Sequence, residues 1–160
     1  SRYGDTLLLA SVSNEQVFLD QEKLTSMKLE RNTVENELCE FLTGIQGMAE
    51  AYPSRVLKQE AFTGAEPRAL LQNGYNHQRS GNVAFVYRPG WMDHGQTGTT
   101  HGAGYDYDTH VPLIFFGNGI KQGETLDYTT ITQIAPTIAE LIRINRPNGT
   151  SSKPLNGSFK

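Results

Sequence analysis

Apolar residues come in short runs along this chain, separated by polar turns, and the spacing within each run predicts what it folds into. Thr6-Leu7-Leu8-Leu9-Ala10-Ser11-Val12 reads as a buried strand, Ser13-Asn14 as a turn, and Glu15-Gln16-Val17-Phe18-Leu19 as a returning strand. The opening segment therefore predicts a hairpin. Lys23 to Arg31 is polar and fits neither the helical nor the strand period. Asn32 opens the clearest helix. With Glu35 three positions on it forms an N-cap and capping-box pair, and Val34, Leu38, Phe41, Leu42 and Ile45 then recur on one face. Gly44 and Gly47 mark its end. Ala51 to Gln59 carries Tyr52, Val56 and Leu57 and reads as a further strand. Pro67 begins a short helix that Asn73-Gly74 stops. Asn82-Val83-Ala84-Phe85-Val86-Tyr87-Arg88 is a strand closed by Pro89-Gly90.

The second half reads differently. Trp91 to Gly98 is a polar loop containing His94. Val111 to Phe116 is an apolar run suited to the interior of a parallel sheet, and Gly117-Asn118-Gly119 turns. Thr130 or Thr132 caps a helix through Ile134, Ile138, Leu141 and Ile142, with Pro136 tolerated in its first turn. From Pro147 onward the chain is rich in Asn, Gly, Ser and Lys and reads as a surface segment. Residues 1–90 thus alternate in the order ββαβαβ, a pattern that a small sheet with helices on one face satisfies. Residues 91–160 supply one strand and one helix, which cannot bury each other. The fold class is α/β, and the second zone needs more sheet than the chain supplies.

Composition narrows the function. The 160 residues allow one sizeable core, and the mean hydropathy of -0.47 suits a soluble protein. No apolar run approaches a membrane span. A net charge of -3 without a basic cluster argues against nucleic acid as the main partner. The single cysteine, Cys39, excludes an internal disulfide and sits where a free thiol acts as a small buried hydrophobe. The first residues, Ser1-Arg2-Tyr3-Gly4-Asp5, show no signal-peptide pattern and no initiator methionine, so the chain reads as cut.

The candidate chemistry is concentrated in ten residues. His101, Asp106, Asp108 and His110 stand close together, after a glycine-rich approach and before the apolar run. Imidazole and carboxylate ligands at this density suggest a divalent-metal site, for which His101 and His110 are the candidate imidazoles. Asp106, Asp108 and His110 are candidates to hold the second ring nitrogen of His101. The alternative is a polar loop whose Asp and His residues cap turns, with His110 a hydrogen-bonding post at a strand end. Tyr105 and Tyr107 read as packing beside the loop. Trp91 reads as a lid or as packing, and His77 carries no assigned chemistry. No nucleophile elbow, P-loop or dinucleotide fingerprint is present, and no catalytic residue is assigned.

The segment from Thr100-His101-Gly102 through Tyr105-Asp106-Tyr107-Asp108-Thr109-His110-Val111-Pro112 to Gly117 resembles the C-terminal signature of the alkaline phosphatase superfamily. Its nearest branch is the phosphate-irrepressible alkaline phosphatases and the related type I phosphodiesterase/nucleotide pyrophosphatases. Ile131 to Ile138 resembles the family's Thr-x-Ile-Ala-Pro-Thr helix, and Lys153-Pro154-Leu155 its closing tripeptide. Gly74 to Val83 resembles the segment that leads into a strand, with Asn82 where the family has aspartate. The resemblance implies a C-terminal portion of an alkaline-phosphatase-like fold. Residues 1–90 are then an inserted cap-like subdomain, and residues 91–160 the edge of the core domain. It also implies two zinc ions per intact enzyme, His101 as one ligand, a small-molecule phosphate ester as substrate, and a periplasmic or secreted location. The family's nucleophile and Asp-His pairs lie upstream of this segment. Asp93-His94-Gly95 spells an Asp-His-Gly element, but it sits too close to His101 to take that role, and it reads as a solvated loop. The chain alone is therefore expected to be inactive and to bind zinc weakly at best. A phosphodiesterase or nucleotide pyrophosphatase, and a non-catalytic binding module built on residues 1–90, are the rival readings.

Overall fold

A computed structural model of the chain describes residues 8–93 and 97–155. It divides into two compact units, Ser1–Val111 and Pro112–Lys160.

The first unit is built on a four-stranded antiparallel sheet. Strands β1 (Leu9–Ser13) and β2 (Gln16–Leu19) form the expected hairpin. Its two-residue turn is Asn14-Glu15 rather than Ser13-Asn14, with both residues at positive φ (51° and 54°). That mirror-image turn matches strand twist. The hairpin continues into α1 (Gln21–Ser26), α2 (Arg31–Thr43), β3 (Met48–Pro53), α3 (Ser54–Gln59), α4 (Pro67–Gly74) and β4 (Val83–Tyr87). The order in the sheet is β1-β2-β4-β3. Two short helices, α1 and α3, thus interrupt the anticipated ββαβαβ order. The stretch read as a strand over 51–59 is half strand and half helix, broken where Pro53 gives way to Ser54.

β4 explains the architecture. Val83, Ala84, Phe85 and Val86 are all buried, which a strand with one wet face cannot achieve. Successive side chains point to opposite faces. Val83 and Phe85 join Val17 and Leu42 of α2 in one cluster. Ala84 and Val86 look into a cleft walled by Leu57 and by Leu70 of α4. The sheet is therefore covered on both faces, not on one. A second cluster gathers Leu8, Leu19, Leu24 and Val34, and Leu38 of α2 packs against both. β1 lies at the sheet edge and all five of its residues are exposed, so the buried strand expected there is an edge strand. The expected residues Thr6 and Leu7 lie outside the described residues.

α2 starts two residues before the position expected from Asn32 as its cap. Its N-cap is Glu30, whose carboxylate accepts from the backbone N–H of Thr33 at 2.6 Å. Glu35, expected to close a capping box, is instead fully buried. It accepts from Arg31 Nε at 2.7 Å, Ser54 Oγ at 3.3 Å and Asn82 Nδ2 at 3.1 Å. Asn82 also accepts from the Leu19 N–H through its side chain at 2.9 Å. One amide thus joins β2, α2 and the start of β4. Only an amide donates to Glu35 while accepting from Leu19; an ionised aspartate here would set carboxylate against carboxylate. The departure from the family pattern at Asn82 is matched to Glu35. Phe41 and Ile45, expected on the buried face of α2, are exposed.

In the second unit, a 3₁₀ turn (Ile131–Gln133) leads into α6 (Ile134–Leu141), with Thr130 and Gln133 forming a reciprocal capping box. Pro136 falls in the first turn, as expected, where no intrahelical donor is lost. Thr137 is fully buried: its hydroxyl donates to Gln133 O at 2.6 Å and accepts from Leu155 N at 2.9 Å. That bond straps the tail down and Pro154 is buried, so the tail is only partly a surface segment. The strand expected over Val111 to Phe116 is absent. Ile114 is 82% and Phe116 fully exposed. A strand needs a hydrogen-bonding neighbour, and the described residues of this unit contain no other strand.

Candidate functional site

The loop that carries His101 is tied to the rest of the first unit at three points and braced within itself. The hydroxyl of Tyr105 donates to Tyr87 O at 2.7 Å, tying the loop to the end of β4. Tyr107 accepts from Gly90 N at 3.1 Å, and the two phenol rings stack at 5.8 Å. Asp108 accepts from Ala103 N at 2.6 Å, closing the glycine turn on itself. Gly104 lies so close to α4 that a Cβ would meet the Cα of Pro67 at 2.9 Å. A short helix, α5 (Asp106–Thr109), holds this arrangement. The first compact unit runs to Val111, because these tyrosines bind the loop back to the sheet.

His101 is exposed at the rim of a cleft of about 520 Å³ between this loop, β4 and α4. Asp93 and Glu15 lie along the same cleft. Burial first, and then the charges of Asp93 and Glu15, push the Tyr87 phenol above its ordinary range. Burial likewise raises Tyr105. Of the residues expected to support His101, Asp108 is engaged with Ala103, while Asp106 and His110 are exposed. The backbone N–H of His110 donates to Asp106 O at 2.9 Å, a helix-terminal bond. Among the described residues no group of three or more His, Cys, Asp or Glu is placed to hold a metal ion. His94 and Gly95 lie outside the described residues. Cys39 is half-buried against the Leu42 cluster, and burial pushes its thiol up to about 11, an inert group.

Sequence reasoning missed the cleft and the buried Glu35–Asn82 junction. The second left no local signal, because only the fold brings Ser54 and Asn82 to the Glu35 carboxylate. The cleft carried none, because its walls come from residues far apart in the chain.

No family model matches the chain. Comparison with curated proteins finds alkaline phosphatase PafA of Elizabethkingia meningoseptica, 32% identical over 156 residues, which span 96% of this chain and 28% of that protein. The crystal structure of wild-type PafA superposes with a TM-score of 0.88 at 31% identity, over 99% of this chain and 31% of that one. The chain belongs to the alkaline phosphatase superfamily. Alkaline phosphatase PhoV of Synechococcus elongatus is 29% identical over 94% of the chain. A Myroides odoratus protein named calcium-transporting ATPase is 35% identical over all of it. The chain spans 27–29% of the length of these curated relatives. The mixed α/β architecture anticipated from the sequence is that of the matching portion of the phosphatase fold.

Proposed function

We propose that this chain is the C-terminal part of a zinc-dependent phosphate-ester hydrolase acting in the periplasm or outside the cell. In this reading residues 1–90 form a cap-like insertion, and the remainder completes the edge of the catalytic domain. The observation that carries it is the superposition on a phosphatase over 99% of the chain. His101 would supply one metal ligand, from a loop held at Tyr87, Gly90 and Pro67. A zinc site needs three or more protein ligands, and the described residues offer no such group. The residues present therefore do not fit a complete site, and no hydrolytic step is assigned to them. The rest of the ligand set and the nucleophile belong to the part of the protein outside this chain. The exposed run Val111 to Phe116 would find its strand neighbours there as well.

The experiment uses the full-length protein containing this chain. Monoester hydrolysis exceeds diester hydrolysis, and plasma mass spectrometry finds two zinc ions per molecule. Histidine 101 replaced by alanine (His101→Ala) lowers bound zinc and reduces kcat/KM by at least about a hundredfold. The isolated chain shows no turnover. Full activity in His101→Ala, or turnover by the chain alone, sinks the reading. A Myroides relative carries the name calcium-transporting ATPase, so ATP hydrolysis is measured in the same assay.

A further inference from the structure

We propose that the cleft beside His101 is the subsite for the leaving group of the ester, and that it selects an uncharged aromatic group. The inference rests on His101 marking the phosphoryl centre. His101 lines this cleft together with residues of β4 and α4. Its walls are Leu70 and Leu71 of α4, Val86 of β4, and the rings of Tyr75, Tyr87 and Trp91. Flat apolar ligands gain from such surfaces through burial and through ring-on-ring contact.

Charge decides what the cleft rejects. No lysine or arginine lines it among the described residues, while Glu15 and Asp93 do, and their charge reaches Tyr87. A leaving group carrying further phosphates would place its anionic oxygens against these carboxylates with no cation to meet them. A phenyl or similar ring meets no such penalty. The volume of about 520 Å³ lies within the range of small-molecule sites and is ample for one or two rings.

Trp91 is the decisive wall because its position is set from behind. Gly47 has φ +93°, and a Cβ there would meet the Trp91 ring at 2.3 Å. The indole therefore lies flat on bare backbone, a fit that only glycine allows. Its other surroundings form the cleft.

The test compares phenyl phosphate, methyl phosphate and inorganic pyrophosphate on the full-length enzyme. Each variant is read as its ratio of kcat/KM values relative to that of the parent, so the intrinsic reactivities of the esters cancel. Trp91→Ala lowers the preference for phenyl over methyl phosphate about tenfold, and Trp91→Phe restores most of it. Leu71→Lys raises pyrophosphate relative to phenyl phosphate about tenfold, because it adds the missing cation. Should Trp91→Ala fail to fold, Leu71→Lys decides the matter alone. Unchanged ratios in a folded, active enzyme overturn the subsite and leave the hydrolase reading standing. An enzyme that hydrolyses none of the three esters overturns the hydrolase reading itself.

Discussion

The two units of this chain treat their apolar residues in opposite ways. In the first, Val17, Leu19, Val83 and Phe85 are buried in two clusters, and the polar groups that enter the interior are bonded to one another. In the second, Ile114, Phe116, Leu126, Tyr128 and Ile131 stand open, with Leu126 and Phe116 fully exposed. The difference teaches which part of the sequence buries its own apolar residues: the first unit closes its own core, and the second leaves these five side chains open.

The largest expected effect falls where the first unit has least tolerance. Asn82→Asp keeps shape and volume but replaces the amide that donates to the fully buried Glu35. Two carboxylates then share one dry junction, with Arg31 the cation bonded there. Leaving a buried charge uncompensated costs about 3–5 kcal/mol. Urea denaturation of the chain at pH 7 measures the loss. The deficit shrinks as pH falls and the added carboxylate takes up a proton. A variant as stable as the parent at pH 7 would show that this junction does not hold the first unit together.

A paired truncation separates the units directly. Val83 is fully buried, and Val83→Ala costs about 2 kcal/mol through lost contacts and the space left behind. Phe116 is the larger side chain but fully exposed, so Phe116→Ala changes the stability of the chain by less than about 0.5 kcal/mol. Equal costs in urea denaturation would remove the distinction. In the full-length protein the order reverses if Phe116 meets a neighbour there.

What was legible in the sequence follows the same division. The hairpin, α2, α4 and β4 were readable because each carries its own local signal: alternation, a 3.6-residue period, or a Pro start and Gly stop. The capped helix near Pro136 was readable for the same reason. Val111 to Phe116 was misread because a continuous apolar run reports burial, not what does the burying. Glu35 was misread because three-residue spacing from Asn32 fits a capping box equally well, and only the fold brings Ser54 and Asn82 to its carboxylate. His101 stood out in the sequence as a residue type and through its family resemblance. The cleft beside it did not, since Leu70, Val86 and Trp91 meet only after β4 and α4 have packed.

The smallest effect distinguishes how the two units start their helices. α2 is capped by a carboxylate and α6 by a hydroxyl and an amide. Backbone N–H groups of Asn32 and Thr33 hold Glu30 below its ordinary value of 4.5. A carboxylate lowered in the folded state stabilises it above the unfolded value, and the contribution disappears as pH falls through the folded one. Glu30→Ala therefore weakens the hydrogen-exchange protection of α2 amides at pH 7, and the difference from the parent closes in acid, as pH falls through the lowered value of Glu30. Thr130→Ala removes neutral capping bonds worth about 1 kcal/mol. Its effect on α6 amides is the same at both pH values, because neither Thr130 nor Gln133 titrates. A pH-dependent loss at Thr130→Ala, or a pH-independent one at Glu30→Ala, would show that the caps do not act through the bonds seen here. The contrast reaches function through position. α2 packs Leu42 against the face of β4 opposite the cleft, so only acid strong enough to protonate Glu30 below its ordinary value loosens this support, while the α6 cap stays untouched.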